Sequence, residues 1–372
     1  MPIPFISDSQ ELGHLGLKKW LALKAAKALF KERIEQHPLW TLIWECTHRC
    51  NLNCRHCGSD CRAQALHPDM PAEDFFRVLD KSISPKIDPE MFHISIAGGE
   101  VLLREDLYDI GREIQKRGYP WTFVTNGMLL NSDKLEQLCD AGLERVALSL
   151  DGPPEIHNHI RQNPESYQHA VNALQCLVQS KELKLYDVIT CVTPPLLPHL
   201  VSFRDFLISA GCKKWRLATI SPMGRARNNP DLLLNGGQIR QLLDFIVQTR
   251  KEAKIHANFT CDGFTGCYEG EVRDNFYQCD AGITIGSILI DGSISACNSI
   301  RSNHIQGNIY QDDFMEVWEN RFQQFRDRRW TKKGICAHCE MYSFCEGNGM
   351  HLYDDNDNLL HCDYHEMKEW QD

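Results

Sequence analysis

The chain lacks the marks of a membrane or secreted protein. It has no run of about 20 apolar residues, the length that a membrane-spanning helix needs. Its N-terminal region lacks the apolar stretch and small-residue cleavage site of a signal peptide. It has no low-complexity segment, and its charged fraction of 24% is ordinary for a folded protein. We therefore expect a folded, cytoplasmic protein without a transmembrane segment.

An excess of basic residues is missing as well. The formal net charge is −10, a balance that argues against nucleic acid as the main partner. The 372 residues fit one large domain with a smaller one beside it. With 42% apolar residues, the chain can bury a substantial core.

Cysteine is the residue that the chain has in unusual number. Seventeen cysteines are far more than packing requires in a chain of this size. Disulfides in a secreted protein would be one explanation, but the sequence shows no signal peptide. Ligation of a metal ion or an iron–sulfur cluster in a reducing compartment explains the count better.

The first 40 residues predict a helical segment. Residues 14–36 are rich in Ala, Leu and Lys, which favour a helix. Because the lysines scatter around the helical wheel, the pattern favours a helix packed on the main domain over one lying on a membrane surface.

From residue 41 onward, strand-like and helix-like segments alternate. The predicted strands are Thr41–Glu45, Phe92–Ala97, Trp121–Thr125, Arg145–Leu150, Asp187–Val192 and Trp215–Ile220. Alternation of this kind predicts parallel strands joined by crossover helices. Six repeats indicate an α/β fold, a partial (β/α)6 barrel with its active site at the carboxyl ends of the strands.

The amino-acid composition changes near residue 255, where cysteine and glycine become frequent. We therefore divide the chain into an N-terminal segment at 1–40, the barrel at 41–237, a bridging helix at 238–254, a cysteine-rich second domain at 255–365 and a tail at 366–372.

A first group of cysteines follows the first predicted strand. Cys50, Cys54 and Cys57 have the spacing C-x3-C-x2-C. Three thiolates on one short loop can hold three irons of a [4Fe–4S] cube and leave the fourth iron open to a ligand's amino and carboxylate groups. The spacing also leaves zinc open, since four nearby residues are candidates for a fourth ligand: Cys46, His48, His56 and Cys61.

This loop resembles the signature of the radical S-adenosylmethionine (SAM) superfamily. The resemblance implies a [4Fe–4S] cluster on Cys50, Cys54 and Cys57, with SAM bound at the open iron. It also implies reductive cleavage of SAM to a 5′-deoxyadenosyl radical, which abstracts hydrogen from a substrate. Such an enzyme needs a one-electron reductant such as flavodoxin or ferredoxin, and it works under anaerobic or protected conditions.

Further motifs of that family stand where the later predicted strands end. The residues with an implied role in SAM binding are Gly98, Gly99, Glu100, Thr125, Asn126, Ser149, Asp151, Arg161 and Arg225. In the family, the Gly-Gly-Glu motif binds the amino group of the methionine moiety, and its glycines let backbone carbonyls approach the ligand. Ser149 and Asp151 are implied to meet the ribose or the carboxylate, Arg161 to pair with that carboxylate, and Arg225 to lie near the adenine.

The segment from Cys279 onward closely resembles the SPASM extension of radical SAM enzymes, which carries up to two auxiliary iron–sulfur clusters. The resemblance rests on Gly307-Asn308-Ile309, on the following Phe314–Trp318 stretch and on a C-x2-C-x5-C run that starts at Cys336. The family usually has a further cysteine four residues after that run, where this chain has Gly349.

Two auxiliary clusters follow from this resemblance, both expected to be [4Fe–4S]. The cysteine that is lost at Gly349 normally serves the first cluster, and two upstream cysteines are expected to complete it. The first set is Cys261, Cys267, Cys279 and Cys297, and the second is Cys336, Cys339, Cys345 and Cys362. Zinc stays an alternative for the second set, since C-x2-C followed by two more cysteines is also a zinc-ribbon spacing.

Six other cysteines are interpreted as structural. Two flank the C-x3-C-x2-C run and four lie in predicted helices or strands: Cys46, Cys61, Cys139, Cys176, Cys191 and Cys212.

Enzymes with a SPASM extension modify peptides or proteins, with exceptions that act on small molecules. The first hypothesis is therefore radical crosslinking, epimerisation or oxidation of a peptide or protein side chain. The second is a small-molecule enzyme of cofactor or tetrapyrrole synthesis, and the third is a non-catalytic zinc scaffold. The run His56–Cys61 also resembles radical SAM proteins associated with lipoprotein loci.

Oxidation of a side chain to formylglycine is the least favoured of these outcomes. Sulfatase-maturing relatives place an Asp directly after the cysteine that matches Cys297, whereas this chain has Asn298. A neutral amide cannot act as the general base that takes the hydroxyl or thiol proton.

Replacement of Cys50, Cys54 or Cys57 by Ala is expected to abolish SAM cleavage, because two thiolates cannot retain a cube whose open iron must also bind SAM. The measurement is 5′-deoxyadenosine formed by the anaerobically reconstituted and reduced protein, with Cys176→Ala as the control. Undiminished 5′-deoxyadenosine from any of the three variants would contradict the assignment.

Overall fold

The strand-like runs assemble into one sheet. The computed structural model describes residues 12–260, 263–300 and 304–370. Within these ranges the strands, β1 to β10, are Thr41–Thr47, His93–Gly98, Trp121–Thr125, Leu143–Ser149, Leu185–Cys191, Lys214–Ala218, His256–Phe259, Ile285–Ile288, Ser293–Ser295 and Gly307–Asn308. Their order in the sheet is β10-β9-β8-β1-β2-β3-β4-β5-β6-β7.

Helices cover one side of this sheet and extend into the C-terminal region. In the described ranges the α-helices, α1 to α12, are Leu17–Gln36, Ala72–Val78, Leu107–Lys116, Ser132–Asp140, Pro154–Arg161, Ser166–Gln179, Leu200–Ser209, Gly236–Glu252, Phe314–Arg321, Gln323–Arg326, Tyr342–Cys345 and Asp363–Glu369.

The strands β1 to β7 lie parallel and in chain order. The opposite edge of β1 pairs in parallel with β8, and the short strands β9 and β10 are antiparallel. All six predicted strands are present, with ends within about two residues of those expected. The predicted α/β fold with parallel strands and crossover helices is therefore confirmed.

The sheet continues past residue 255, where the sequence suggested a second domain. Strand β7 begins at His256 and pairs with β6, while β8 adds to the far edge at β1. The bridging helix predicted at 238–254 is α8. The domain boundaries stay a prediction. The sheet contains strands from both sides of the boundary predicted at residue 255.

The two faces of the strands differ in side-chain size. Outward positions carry large apolar residues such as Trp44 and Ile96, which are fully buried, and Trp44 stacks on Phe75 of α2 with ring centroids 4.2 Å apart. Inward positions are small or polar, among them Ser95, Thr122 and Ala147. Closed barrels fill their interior with branched residues; here the interior, which we call the lumen, keeps a cavity of about 380 Å³.

Helix α1 lies against the C-terminal region. Its Leu23 and Phe30 are buried, and Lys19 Nζ lies 2.6 Å from Glu271 Oε1. The helix is therefore packed on the protein as interpreted, but it contacts the C-terminal region, whereas the sequence suggested the main domain. Among the described residues, no helix combines the length and the apolar character that crossing a membrane would require.

Candidate active site and cluster sites

The first three predicted ligands lie on one loop, residues 49–62, which begins where β1 ends. We call it the cluster loop. Its two ends meet in a bridge between Arg49 and Arg62, and the Cys50 N–H donates to the Arg62 carbonyl at 2.9 Å. A cavity of about 920 Å³ borders Cys50 and gives the loop open space on one side. The loop therefore has fixed ends and presents its cysteines beside a cavity.

Two glycines from other strand ends pack directly on this loop. A Cβ added at Gly99 would lie 2.1 Å from the Arg49 carbonyl oxygen and 3.2 Å from Cys50 Cβ. A Cβ added at Gly224 would lie 2.4 Å from the carbonyl oxygens of both Cys57 and Gly58. No side chain fits at either position, so the cluster loop is held between two backbones. The Gly-Gly-Glu motif provides one side of this cradle through Gly99, and Gly224 provides the other.

Glu100 ties the ends of β2 and β3 together behind Cys50. Its buried carboxylate accepts from Thr125 Oγ1 at 2.9 Å and from the Asn126 N–H at 2.8 Å. Burial raises the pKa of Glu100, and these hydrogen bonds oppose the increase. Asn126 donates in turn to Asn51 Oδ1 at 2.8 Å, and its Nδ2 lies 3.9 Å from Cys50 Sγ. The predicted contact of Glu100 with an ammonium group stays a prediction.

A buried ion pair lies beside Cys54. Arg161 Nε donates to Asp151 Oδ2 at 2.7 Å, and Arg161 Nη1 lies 3.7 Å from Cys54 Sγ. Although burial raises it, the Arg161 charge lowers the pKa of Asp151 to about 2. The other carboxylate oxygen accepts from the Cys191 N–H at 3.0 Å. Ser149 ends β4 two residues before Asp151. Binding of a SAM carboxylate or ribose by these residues remains a prediction.

Arg225 holds the cluster loop itself. Its Nε donates to the Cys54 carbonyl at 2.7 Å, and its Nη1 donates to Asp60 Oδ1 at 2.8 Å and to the Cys61 carbonyl at 2.9 Å. The structure thus gives Arg225 a role that the sequence did not suggest. Proximity to adenine stays a prediction.

Two residues to which the sequence assigned no role in SAM binding, His56 and Cys191, lie beside Asp151. Ligand atoms of His56, Asp151 and Cys191 lie within 4.8 Å of one another. Among the described residues, the buried His56 Nδ1 has no hydrogen-bond partner, and burial and the Arg161 charge lower the pKa of His56 to about 4. Because Asp151 already pairs with Arg161, this group suits a polar organic ligand better than a metal ion. Side chains alternate between the two faces of β5, so Cys191 lies on the same face as Asp187. This alternation was the signal in the sequence that could have placed Cys191 here.

Cysteine sulfurs of the described residues are, taken three at a time, spaced more widely than the ligands of a zinc ion would be. In the described parts of the chain, no three cysteine sulfurs lie within 4.8 Å of one another. Thiolates around zinc lie about 4 Å apart, given a Zn–S bond of about 2.3 Å. Cys61, interpreted as structural, hydrogen-bonds the Cys57 sulfur and lowers the pKa of Cys57. Burial raises the pKa of Cys50 to about 11.

The four cysteines of the predicted second auxiliary set come together near the C-terminus. Cys336 and Cys339 lie close enough to Cys345 to act on its pKa, which burial raises to about 12. Cys362 is influenced in the same way by Cys345 and Cys336. The Asn348 N–H donates to Cys345 Sγ at 3.1 Å.

The first auxiliary set is only partly gathered. Cys279 and Cys297 border a common cavity of about 700 Å³. Cys267 does not line this cavity; its N–H donates to the Leu12 carbonyl at 3.1 Å, and it acts on the pKa of Tyr364. Cys261 lies outside the described residues. The assignment of Cys261 and Cys267 to this set therefore stays a prediction that the placement of Cys267 does not support.

A buried arginine links the two auxiliary regions. Arg328 is 5% exposed, and its Nη2 donates to the Asn348 carbonyl at 2.6 Å. Its Nε has no hydrogen-bond partner in the described ranges. Burial lowers the pKa of Arg328, but Cys279, Tyr277, Tyr353 and Cys345 around it raise it overall. A buried guanidinium is costly without an anion, and thiolates bound to iron–sulfur clusters would supply that charge. The residues present thus fit such clusters.

Two sequence families match the chain, one over the barrel strands and one over the cysteine-rich C-terminal region. The Radical SAM superfamily matches residues 44–223, and the SPASM family, an iron–sulfur cluster-binding domain, matches residues 279–340. The chain belongs to the radical SAM superfamily. This radical SAM enzyme therefore uses SAM and iron–sulfur clusters, and these families leave no support for the zinc scaffold.

Relatives of this radical SAM enzyme include proteins of two kinds. It is 25% identical to the AdoMet-dependent heme synthase of Oleidesulfovibrio alaskensis, over 90% of this chain and 89% of the relative. It is 28% identical to the mycofactocin maturase MftC of Mycolicibacterium smegmatis, over 83% and 77%.

Two solved structures share its fold. Streptococcus suis SuiB bound to the precursor peptide SuiA has a TM-score of 0.64 at 18% identity, covering 86% of this chain and 75% of that one. Native anSMEcpe with bound AdoMet has a TM-score of 0.68 at 19% identity, covering 89% and 94%.

Gly99→Ala is expected to cost the enzyme its SAM-binding cluster, because the added methyl would push the Arg49–Cys50 backbone out of place. The matched control is Gly58→Ala on the cluster loop, where an added Cβ meets nothing within 4 Å. Iron content and 5′-deoxyadenosine formation are measured for both. If Gly99→Ala equals wild type in both readouts, the cradle does not hold the loop as described.

Arg328→Gln is expected to shift the reduction potentials of the auxiliary clusters to more negative values, because loss of a buried positive charge disfavours the added electron. Redox titration followed by electron paramagnetic resonance checks this. Its neighbour Arg329→Gln is the control, since that side chain is 91% exposed and pairs with Asp327. Unchanged potentials with full iron content in Arg328→Gln would show that Arg328 does not act on the clusters.

Proposed function

We propose that this radical SAM enzyme modifies a side chain of a peptide or protein by hydrogen abstraction. Three features support the proposal: the cradled cluster loop, the open lumen, and relatives that include a maturase. The cradle is the observation that carries it, because two backbones hold the loop of Cys50, Cys54 and Cys57 where β1 ends.

The chain's own residues would divide the work around the cofactors. When bound, the reduced cluster and SAM supply a 5′-deoxyadenosyl radical. Cys50, Cys54 and Cys57 would hold the cluster. The protein would orient SAM through the backbone near Gly99 and the Arg161–Asp151 pair, and through His56 Nδ1, which can donate or accept.

The shape of the interior favours an extended substrate. The lumen cavity and the 700 Å³ cavity at Cys279 and Cys297 share Asn258 and Asp274 in their linings. Helix α1 contributes Leu29 and Arg33 to the outer part of this path. An extended peptide segment could therefore enter beside α1 and reach the strand ends through the lumen, passing the first auxiliary region.

A small tetrapyrrole is the second candidate substrate. The observation in its favour is the 25% identity to an AdoMet-dependent heme synthase over 90% of this chain. The same cavities would then hold a compact ligand, in which case no peptide would be required.

Oxidation to formylglycine stays the least favoured outcome. Asn298 stands where that chemistry would use an Asp, and its Oδ1 accepts from Cys297 Sγ at 3.5 Å. An amide engaged in this way orients its neighbour and takes up no proton. A one-electron reductant such as flavodoxin or ferredoxin would complete the reaction, and the two auxiliary clusters would be [4Fe–4S].

The test has two arms: co-expression with a candidate peptide, and incubation of the reconstituted holoenzyme with SAM, a low-potential reductant and a tetrapyrrole. A candidate peptide, encoded beside the enzyme's gene, is co-expressed with wild type or with Cys54→Ala, and its mass is measured. The expected result is a mass change, or a change of chirality after hydrolysis, that wild type produces and Cys54→Ala does not. A peptide unchanged by wild type, together with conversion of a tetrapyrrole, would overturn the peptide proposal in favour of the second candidate.

A further inference from the structure

The lining of the lumen cavity has more cationic side chains than carboxylates, although the whole chain has a formal net charge of −10. This lining includes three full cations, Arg145, Lys214 and Arg216, and two carboxylates, Asp187 and Asp274. Which of these charges are already paired decides what the lumen can bind.

Both carboxylates are engaged by protein groups. Asp187 Oδ1 accepts from Arg216 Nη2 at 3.1 Å. Asp274 accepts from Arg250 Nη2 and interacts with His256 Nε2, each at 2.9 Å. One of the lining cations, Arg216, is thereby neutralised, and no carboxylate in the cavity is left for the other two.

Lys214, the first residue of β6, is one of the two remaining lining cations, and Arg145 is the other. Arg145 stands on β4 opposite Thr122 of β3 and Leu185 of β5, and its side chain is exposed. Within the described ranges, neither Arg145 nor Lys214 has a side-chain hydrogen bond or an ion pair. A planar guanidinium with free donors is suited to bind a carboxylate through two parallel hydrogen bonds.

The surroundings of Arg145 are small and partly apolar. Val124, two residues beyond Thr122 on β3, is 43% exposed and faces the same cavity beside Ala147. An apolar surface next to a free guanidinium matches a ligand with an apolar stem that ends in an acid group.

We propose that the lumen binds the substrate through a carboxylate on an apolar stem, held by Arg145 with support from Lys214. The proposal rests on the proposed function in one respect only: the substrate atom that loses hydrogen is expected to lie at the cluster loop. It applies to a peptide carboxylate and to a tetrapyrrole propionate alike, since both present the same chemistry to Arg145.

The experiment compares acids with their neutral forms on the anaerobic holoenzyme with SAM bound. One pair is a synthetic peptide that ends in Phe, as the free acid and as the amide. The other is protoporphyrin IX and its dimethyl ester. Binding is measured by calorimetry or fluorescence for wild type, Arg145→Gln, Arg145→Lys and the control Arg112→Gln, whose side chain on α3 pairs with Asp109 at 2.8 Å.

The expected result is that one acid binds wild type at least tenfold more tightly than its neutral form. Arg145→Gln should remove this preference, Arg145→Lys should keep part of it, and Arg112→Gln should keep all of it. The pair that shows the preference identifies the source of the carboxylate. Equal binding of acid and neutral forms, no binding of either acid, or a preference that survives in folded Arg145→Gln would overturn the proposal.

Failure of this proposal is separable from failure of the proposed function. The proposed function fails if wild type leaves the candidate peptide unchanged and converts a tetrapyrrole, whatever the probes do. The carboxylate site fails on the binding comparison alone, whether or not SAM is cleaved.

Discussion

Contact between backbones at Gly99 and Gly224 is the constraint on which the rest of the site depends. The cluster loop is long and polar, and it has few apolar side chains with which to fix itself. Its position is instead set by its own carbonyl groups, which approach Gly99 and Gly224 closely. Glu100 and Arg225 then lock this arrangement, one by joining two strand ends and the other by binding the loop's carbonyls. The positions of the three thiols therefore depend on the strand ends of the sheet.

Much of the fold was predictable because the buried strands are apolar runs with clear ends. The strands β1 to β6 were found in this way. Strands β7 and β8 were not, because each has four residues and stands at the border of the cysteine-rich region, where alternation is too short to read. Their pairing depends on the edges of a sheet that a sequence does not display.

The sequence indicated which motifs lie near the cluster loop, but not which of their residues contact one another. The motifs at successive strand ends do come together around the cluster loop. The sequence did not reveal that Arg225 binds that loop, or that Cys191 meets His56, because such contacts join segments more than 100 residues apart. Arg328 was missed altogether, since an arginine without a motif gives no sign that it will be buried.

The burial of Arg328 bears on the order of assembly. Thiols and phenols surround the Arg328 guanidinium, and its charge is balanced once iron and sulfide have made those thiols anionic. Before that, the C-terminal region should remain loosely packed, open enough for a cluster donor to reach Cys345 and its neighbours. Loading and final folding would then be one coupled event, since metal binding free energy is spent on folding. Expression without sufficient iron–sulfur supply would yield a chain whose barrel is formed and whose C-terminal third is exposed to proteases.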